Sequence, residues 1–487
     1  MPLSQLEPRA VWTAFAELNA VPRPSKREEQ VQAFAVQLGE SLGLDTAKDA
    51  VGNVRIIKPA SPGMEAAPTV VIQAHLDMVC QQNEGTGHDF DKEGIDMYTE
   101  DGWVKARGTT LGADNGIGVA FAIATLRSSE MIHPAIEVLF TSDEETGMTG
   151  ALGLETGWIK GKYLLNIDTE DDRELTIGCA GGIDVTATGK ASYRPAPVED
   201  PMGFRLTVKG LTGGHSGMDI HLGRGNANLL MMRLLRDLER EACILITQVE
   251  GGNLRNAIPR ECQATIVMGQ AHVALLEDAL SPMVAALKKE YASTDPQMEI
   301  YLEPLGASNS MVLAAQAQTD IIQAIAASPA GILRMNPDVD GLVQTSNNVA
   351  RISISPNGIE VLCLTRSSSE SEKMDAAQRL AGLYKMAGLE TSFAGSYPGW
   401  EPAPGGTLAS LMHESYVELF QEEPHVNACH AGLECGIIGE RCPGMEMISF
   451  GPNIRGAHSP DERVEIASVQ KSWQYFVDVL KRLSALN

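Results

Sequence analysis

The chain has 487 residues, with 38 Lys and Arg against 63 Asp and Glu, so its formal net charge at pH 7 is −25. Hydrophobic residues make up 44% of it, which supplies a packed core and excludes intrinsic disorder. The acidic balance argues against a nucleic-acid partner, because phosphate binding needs an excess of Lys and Arg. The length predicts two or three domains.

No membrane partner is expected either. The longest apolar run, residues 116–126, is too short to span a bilayer, and the N-terminus lacks the pattern of a secretory signal. The eight cysteines form no CxxC pair, which argues against a zinc ribbon and fits reduced thiols. We therefore expect a cytoplasmic protein.

Strands alternate with helices in the first part of the chain. After two helices come β-branched runs of strand length and one apolar helix: a short strand at 53–58, strands at 69–75, 135–141 and 163–168, and the helix at 115–126. This alternation predicts an α/β catalytic domain with a mostly parallel sheet sandwiched by helices. Ligands bind at the strand ends of such sheets, so polar residues there are candidate site residues.

A large insert is predicted after residue 185. Residues 186–395 have a different pattern of strands and helices, which forms two successive α+β halves. The Pro/Gly-rich stretch 395–406 is typical of a linker that returns to the first domain. The predicted organisation is a catalytic domain in two parts, 1–185 and 396–487, with an inserted α+β lid domain at 186–395.

Histidines and carboxylates follow several of these strands. His75 and Asp77 are two residues apart at a strand end, which puts their side chains on one side. The other candidates lie in separate strand-end or loop segments: Asp114 in a Gly-rich loop, Glu144 and Glu145, Asp168, and His458. Nitrogen and oxygen donors without cysteine suit zinc, cobalt or manganese.

Two metals need a bridging carboxylate and a separate base. A carboxylate on a flexible Gly loop suits the bridge, and adjacent Glu144 and Glu145 can divide the ligand and base roles. The spacing alone leaves another interpretation open. Aspartates at strand ends often cap helices or turns, and a Glu pair is usually solvated charge.

The motifs together resemble a known family. They are HLD at 75–77, GADNG at 112–116, SDEE at 142–145, NID at 166–168, GGHSG at 213–217 and AHSP at 457–460. In order and approximate spacing they are similar to the co-catalytic zinc peptidases, which include carnosinases, carboxypeptidase G-type enzymes, aminoacylases and tripeptidase T. The phrases at 251–259, 365–370 and 430–435 narrow the resemblance to bacterial dipeptidases that act on Xaa-His.

The resemblance implies a cofactor of two divalent metal ions, zinc first, with cobalt or manganese as alternatives. His75 and Asp168 would hold one ion, Glu145 and His458 the other, and Asp114 would bridge both. No residue departs from the family pattern at these positions.

The same resemblance implies the catalytic roles. Asp77 would orient His75. Glu144 would be the general base toward a water that bridges the metals, and then the acid toward the leaving amine.

Three residues of the insert would act on the substrate. His215 would polarise the scissile carbonyl, and Asn256 and Arg366 would bind the substrate backbone or its C-terminal carboxylate. Glu434 also lies where the family has polar site residues, but no role follows for it.

The expected activity is that of a metal-dependent dipeptidase. Its substrates would be dipeptides with a free amino end, including Xaa-His and carnosine. The alternatives are a tripeptide aminopeptidase or N-acyl amino acid amidohydrolase of the same family, and a non-enzymatic metal- or peptide-binding protein, against which the intact Glu144 argues. The resemblance implies a homodimer, although a doubled lid could replace a partner's lid, so the oligomeric state stays open.

Overall fold

The structure is a computed structural model that describes residues 3–486, at residue 4 the backbone only. It divides into two compact units. The first unit contains residues up to 179, then 400–428 and 433 onward, and the second contains 180–399 and 429–432. The chain therefore leaves the first unit close to the expected position 185, and it returns inside the Pro/Gly-rich stretch 395–406. Segment 429–432, which the sequence analysis placed with 396–487, lies in the second unit.

The first unit is built on a mixed sheet of eight strands. Their order across the sheet is Asp45–Lys48, Val54–Lys58, Ile136–Thr141, Val70–His75, Tyr163–Asn166, Glu446–Ser449, Glu174–Cys179 and His425–Cys429. The four strands from Ile136–Thr141 to Glu446–Ser449 are parallel. Antiparallel pairs flank them on both sides. The predicted α/β class is confirmed, and its parallel part is the centre of the sheet.

The central strands are buried along their whole length. Every residue of Val70–His75 and Ile136–Thr141 is buried, as expected of parallel strands covered on both faces. Helix Ala113–Arg127 is apolar on nearly all sides and packs against Val70–His75. The ring of Phe121 in this helix lies 5.0 Å from Trp473, which belongs to the C-terminal helix. These contacts make one core from distant parts of the chain.

The helices of the first unit fill the spaces between and around its strands. They are Arg9–Asn19, Glu29–Ser41, Ala113–Arg127, Glu144–Gly147, Thr149–Leu152, Thr407–Phe420, Glu434–Arg441 and Ile466–Leu483. A four-stranded sheet of Met97–Glu100, Trp103–Ala106, Arg463–Glu465 and Ile454–Arg455 lies apart from the main one. Within residues 3–486, no helix combines the length and the apolarity needed to cross a membrane.

The parallel strands end at the same edge, and this gathers the polar loops. His75 pairs with Thr141 at the ends of their strands. The strand predicted to reach Asp168 ends at Asn166, so Asp168 lies in the following loop. Residues 75–77, 142–145 and 167–168 therefore leave the sheet at one edge.

The second unit has a nine-stranded sheet whose strand pairs are antiparallel. Its main order is Glu299–Ala307, Pro201–Lys209, Cys262–Gly269, Leu245–Gly251, Val343–Ser355, Gly358–Ser367, Gly181–Gly189 and Glu390–Tyr397, with Gly331–Met335 added on Val343–Ser355. The two α+β halves meet where Val249 pairs with Ile354, so they share one sheet. The helices of this unit are Ala227–Ala242, Val273–Glu290, Ala315–Ala326 and Glu370–Met386.

Candidate functional site

Two imidazoles flank one carboxylate in the first unit. His75 Nε2 lies 3.2 Å from Asp114 Oδ1, and His458 Nε2 lies 3.3 Å from Asp114 Oδ2. Each oxygen of Asp114 thus faces a different histidine, which is how a carboxylate that bridges two cations would be placed.

Each imidazole also lies close to a second carboxylate that the other imidazole does not contact. Asp168 Oδ1 lies 3.5 Å from His75 Nε2, and Glu145 Oε2 lies 3.1 Å from His458 Nε2. The five side chains therefore form two groups that share Asp114. This is the grouping that the family resemblance implies.

The carboxylates attract positive charge to both histidines. Burial lowers the pKa of His75, but Asp168, Asp114 and Asp77 outweigh it and hold that pKa well above its ordinary value. Hydrogen bonds to Asp114 and Glu145 raise the pKa of His458 to about 11. A cation at each Nε2 is strongly favoured, and a divalent metal ion carries more charge than a proton.

The donor set fits a pair of divalent cations. His75, Asp114 and Glu145 offer ligand atoms within 4.8 Å of one another. Glu145 Oε1 is buried and has no hydrogen-bond partner among residues 3–486. A buried carboxylate oxygen without a donor is costly unless a cation neutralises it. Imidazole nitrogens and carboxylate oxygens are ligands that zinc, cobalt and manganese accept.

Asp77 connects the two sides of this cluster. Its Oδ1 lies 3.3 Å from His75 Nδ1 and accepts a hydrogen bond from the Glu144 backbone N–H at 3.1 Å. Its Oδ2 accepts from the Glu145 N–H at 3.3 Å and from the Ser25 hydroxyl at 2.7 Å. Asp77 therefore lies against the His75 ring and holds the start of helix Glu144–Gly147 by two hydrogen bonds.

The adjacent glutamates differ in their contacts. Within the described part of the chain, Glu145 forms an ion pair with His458 and Glu144 forms none. Burial raises the pKa of Glu144 well above its ordinary value, His75 opposes this, and Asp168, Glu434 and Glu145 add to it. Glu144 is thus a buried carboxyl group that interacts electrostatically with His75 and, among the described residues, forms no ion pair with either imidazole.

Glu434 is a further buried acid of the first unit. Its Oε2 accepts hydrogen bonds from the Gln73 amide and the Thr141 hydroxyl, both at 2.7 Å. Its Oε1 is buried and has no partner among the described residues. Burial raises its pKa to about 7, and Asp168 and Asp77 are among the charges that act on it. This position places Glu434 next to the acidic cluster, while its role stays unassigned.

The second unit brings together the predicted catalytic residue His215 and the predicted substrate-binding residue Asn256. His215 pairs with Ala257 in a short antiparallel ladder, and the Ser216 N–H donates to the Asn256 carbonyl at 2.8 Å. His215 Nδ1 accepts hydrogen bonds from the Gly217 and Met218 N–H groups at 3.2 and 3.0 Å. These bonds require Nδ1 to be unprotonated, so the neutral ring carries its proton on Nε2.

Arg366 lies close to His215 and is buried. It is the penultimate residue of strand Gly358–Ser367 and donates from Nη1 to the Tyr397 hydroxyl at 2.8 Å, while its buried Nε has no acceptor among the described residues. Burial lowers the pKa of His215, and the Arg366 charge lowers it further. A positively charged cluster with a neutral imidazole results.

Sequence reasoning missed three buried polar residues: Arg23, His430 and Glu462. His430 Nε2 lies 2.7 Å from the Ser346 hydroxyl, and burial followed by Arg366 and His215 lowers its pKa to about 3. Glu462 follows the AHSP motif, but the neighbouring Asp461 is exposed, and no local pattern separates the two. For Arg23, the nearby Pro-rich turn indicates only a loop.

Comparison with known proteins shows similarity along the whole chain. Residues 71–482 match the family described as Peptidase family M20/M25/M40. The cytosol non-specific dipeptidase of Escherichia coli (strain K12) is 42% identical over 483 residues, which cover 99% of this chain and 99% of that protein. The crystal structure of aminoacylhistidine dipeptidase from Vibrio alginolyticus is also 42% identical, with a TM-score of 0.95 over 99% of this chain and 98% of that one. A tripeptidase structure from Staphylococcus aureus, 13% identical with a TM-score of 0.57 and covering 99% and 100% of the two chains, shares the fold.

Proposed function

We propose that this chain, which belongs to peptidase family M20/M25/M40, is a metal-dependent dipeptidase acting on dipeptides with a free amino end. The family membership confirms the resemblance found in the motifs. The observation that carries the proposal is the position of Asp114, which offers one oxygen to each of two imidazoles. Full-length similarity to two proteins named as dipeptidases supports the substrate class.

Five side chains are the proposed holders of two divalent ions, with zinc as the first candidate. They are His75 and Asp168 for one ion, Glu145 and His458 for the other, and Asp114 for both. Such a pair of ions would lower the pKa of the attacking water and polarise the scissile carbonyl.

Glu144 is the proposed proton carrier. It takes one proton from the water as the water oxygen attacks the peptide carbon, and it gives that proton to the amine nitrogen as the carbon–nitrogen bond breaks. The support is positional, because Asp77 holds the Glu144 backbone beside the cluster, and of the two adjacent glutamates only Glu145 pairs with His458. Asp77 is proposed to position His75 and Glu144 and to touch no substrate.

The second unit supplies one proposed catalytic residue, His215, and two proposed substrate-binding residues, Asn256 and Arg366. The support for His215 is its tautomer: with Nδ1 occupied as an acceptor, Nε2–H can donate to the carbonyl oxygen as negative charge develops there. Arg366 offers a buried, permanently charged guanidinium suited to a C-terminal carboxylate. Asn256 is exposed and adjoins His215 through the backbone.

Xaa-His dipeptides and carnosine are the proposed members of the substrate set. The name of the Vibrio protein, aminoacylhistidine dipeptidase, supports this preference. A cytoplasmic location is proposed in the same way, from the name of the Escherichia coli relative. A homodimer is proposed from the family resemblance alone, with a monomer whose doubled lid replaces a partner's lid as the alternative, and sedimentation of the purified protein distinguishes the two.

A substrate panel tests the proposal. The zinc-loaded protein is assayed with Ala-His, carnosine, Ala-Ala, Ala-Ala-Ala and N-acetyl-alanine. We expect turnover of the free dipeptides and little of the last two compounds. Preferred cleavage of the tripeptide or of an N-acyl amino acid would show that a related activity is the correct one. Stoichiometric zinc binding with no turnover of any compound would show a binding protein instead.

A further inference from the structure

We propose that Glu462 is the positioning residue for Asp114, and that Arg23 holds the same backbone turn from its other side. This inference rests on the proposed function, in which Asp114 bridges two metal ions. It adds two residues, Arg23 and Glu462, that are neither proposed metal ligands nor part of the motifs quoted above.

Glu462 binds four consecutive backbone N–H groups. Its Oε2 accepts from Leu111 at 2.7 Å and Gly112 at 2.8 Å, and its Oε1 accepts from Ala113 at 2.7 Å and Asp114 at 3.2 Å. The Glu462 side chain is buried, with a residue exposure of 2%. Hydrogen bonds to an ionised carboxylate are about twice as strong as neutral ones. The backbone that carries Asp114 is therefore held at four points by one side chain.

Arg23 holds the carbonyl side of the same turn. Its Nη2 donates to the Gly112 oxygen at 2.6 Å, and its Nη1 donates to the Leu76 and Asp77 oxygens at 3.2 and 3.1 Å. Gly112 has a φ of +69°, and a Cβ there would lie 2.4 Å from Arg23 Nη2, so a glycine is required. Arg23 thus ties the turn to the segment that follows His75.

The positions of these residues link the proposed ligands to one another. Glu462 lies four residues after His458, so one loop supplies an imidazole to Asp114 Oδ2 and the carboxylate that holds the Asp114 backbone. Arg23 connects the same turn to Asp77, which contacts His75. Because a bridging carboxylate must face two ions at once, a small rotation of this backbone would weaken both positions.

The competing explanation is helix capping. Helix Ala113–Arg127 has Gly112 at its N-cap, with no side-chain cap from that residue, and Glu462 could serve only to satisfy the free N–H groups of the first turn. A capping role affects the stability of the fold. A positioning role also affects the affinity for metal, which is measured independently of catalysis.

Glu462→Gln separates these two roles. The amide keeps the shape but has one acceptor oxygen, and its NH₂ group faces backbone N–H groups that need an acceptor. We expect the zinc affinity of the metal-free protein to fall about 10–100-fold, the usual effect of losing a partner of a metal ligand. A chromophoric chelator in competition measures it, and circular dichroism checks the fold. The control Asp461→Asn removes the neighbouring exposed charge and should leave the affinity unchanged.

Each outcome of this zinc titration distinguishes a positioning role of Glu462 from a capping role. A Glu462→Gln protein with wild-type zinc affinity and a lower melting temperature would show capping alone and overturn the positioning role. If that variant does not fold, Glu462→Asp, which keeps the charge but shortens the reach, is titrated with the same expectation. Wild-type protein that binds no zinc would overturn the proposed function and the positioning role together, so the two failures are distinguishable.

Discussion

The histidines of the two units have opposite electrostatic surroundings. In the first unit, carboxylates raise the pKa of His75 and bring that of His458 to about 11. In the second unit, burial and the Arg366 guanidinium lower the pKa of His215 and bring that of His430 to about 3. These two histidines of the first unit therefore favour a bound cation, whereas these two histidines of the second unit favour the neutral form.

This difference indicates two kinds of chemistry. An imidazole among carboxylates is suited to bind metal through a lone pair. A neutral imidazole beside a buried guanidinium is suited to donate a hydrogen bond to an oxygen that becomes negative. The following experiments test the distinction, beginning with the largest expected effect.

Metal removal should affect the acidic cluster first. After extensive chelation we expect hydrolysis to be abolished and the melting temperature to fall, because ions bound at 1,000 times their Kd stabilise the folded state by about 4 kcal/mol. Zinc, cobalt or manganese should restore both properties. Full dipeptidase activity in protein shown by elemental analysis to lack metal would contradict the interpretation of this cluster.

Single substitutions of Glu144 and Glu145 distinguish the proposed general base from the proposed metal ligand. Glu144→Gln removes the base and keeps the shape, so turnover should fall about 10²–10⁴-fold while metal content persists. Glu145→Gln, the matched control, should lose metal because it weakens a proposed ligand. Kinetics and metal analysis of both variants give the answer. Loss of metal in Glu144→Gln with retention in Glu145→Gln would reverse the two assignments.

His215→Ala tests the neutral donor of the second unit. We expect turnover to fall about 10²–10³-fold, the usual effect of losing one oxyanion donor, with metal content and folding unchanged. His221→Ala, at an exposed histidine of the same unit, is the matched control and should keep wild-type kinetics. Near-normal turnover of His215→Ala would remove this residue from the proposed mechanism.

The smallest expected effect is that of His430 on the pH dependence of the free energy of unfolding. Its folded pKa of about 3, below the ordinary His value of about 6.5, means that the unfolded chain binds a proton more readily. Protonation of His430 therefore does not reduce the free energy of unfolding above about pH 6.5. As the pH falls toward 3 it reduces that free energy progressively, by about 2 kcal/mol at pH 5. Arg366, His215 and His221 are the charged or titratable groups that act on this ring.

The measurement is calorimetric melting of wild-type protein and His430→Gln between pH 7 and pH 4.5. We expect the wild-type melting temperature to fall more steeply with acidification than that of the variant. Parallel curves would mean that His430 titrates normally and that the second unit lacks the proposed electrostatic character.

Much of the secondary structure was predictable from local pattern. The β-branched run 69–75 is the strand Val70–His75, and the apolar segment 115–126 lies within helix Ala113–Arg127. Helix Val273–Glu290 was not predicted, because Pro282 interrupts its helix-forming sequence. Strand Tyr163–Asn166 is shorter than predicted, since its apolar run continues past the last paired residue.

The sequence by itself determined the α/β class and the candidate histidines and carboxylates at the strand ends, because these depend on residue type and local spacing, and it determined the family through the resemblance of its motifs. Only the tertiary structure decided which oxygen of Asp114 faces which imidazole. It alone also revealed the hydrogen bond from the Leu111 N–H to Glu462, whose partners lie 351 residues apart. Such contacts form when distant segments pack around a common core, and no local pattern of residues encodes them.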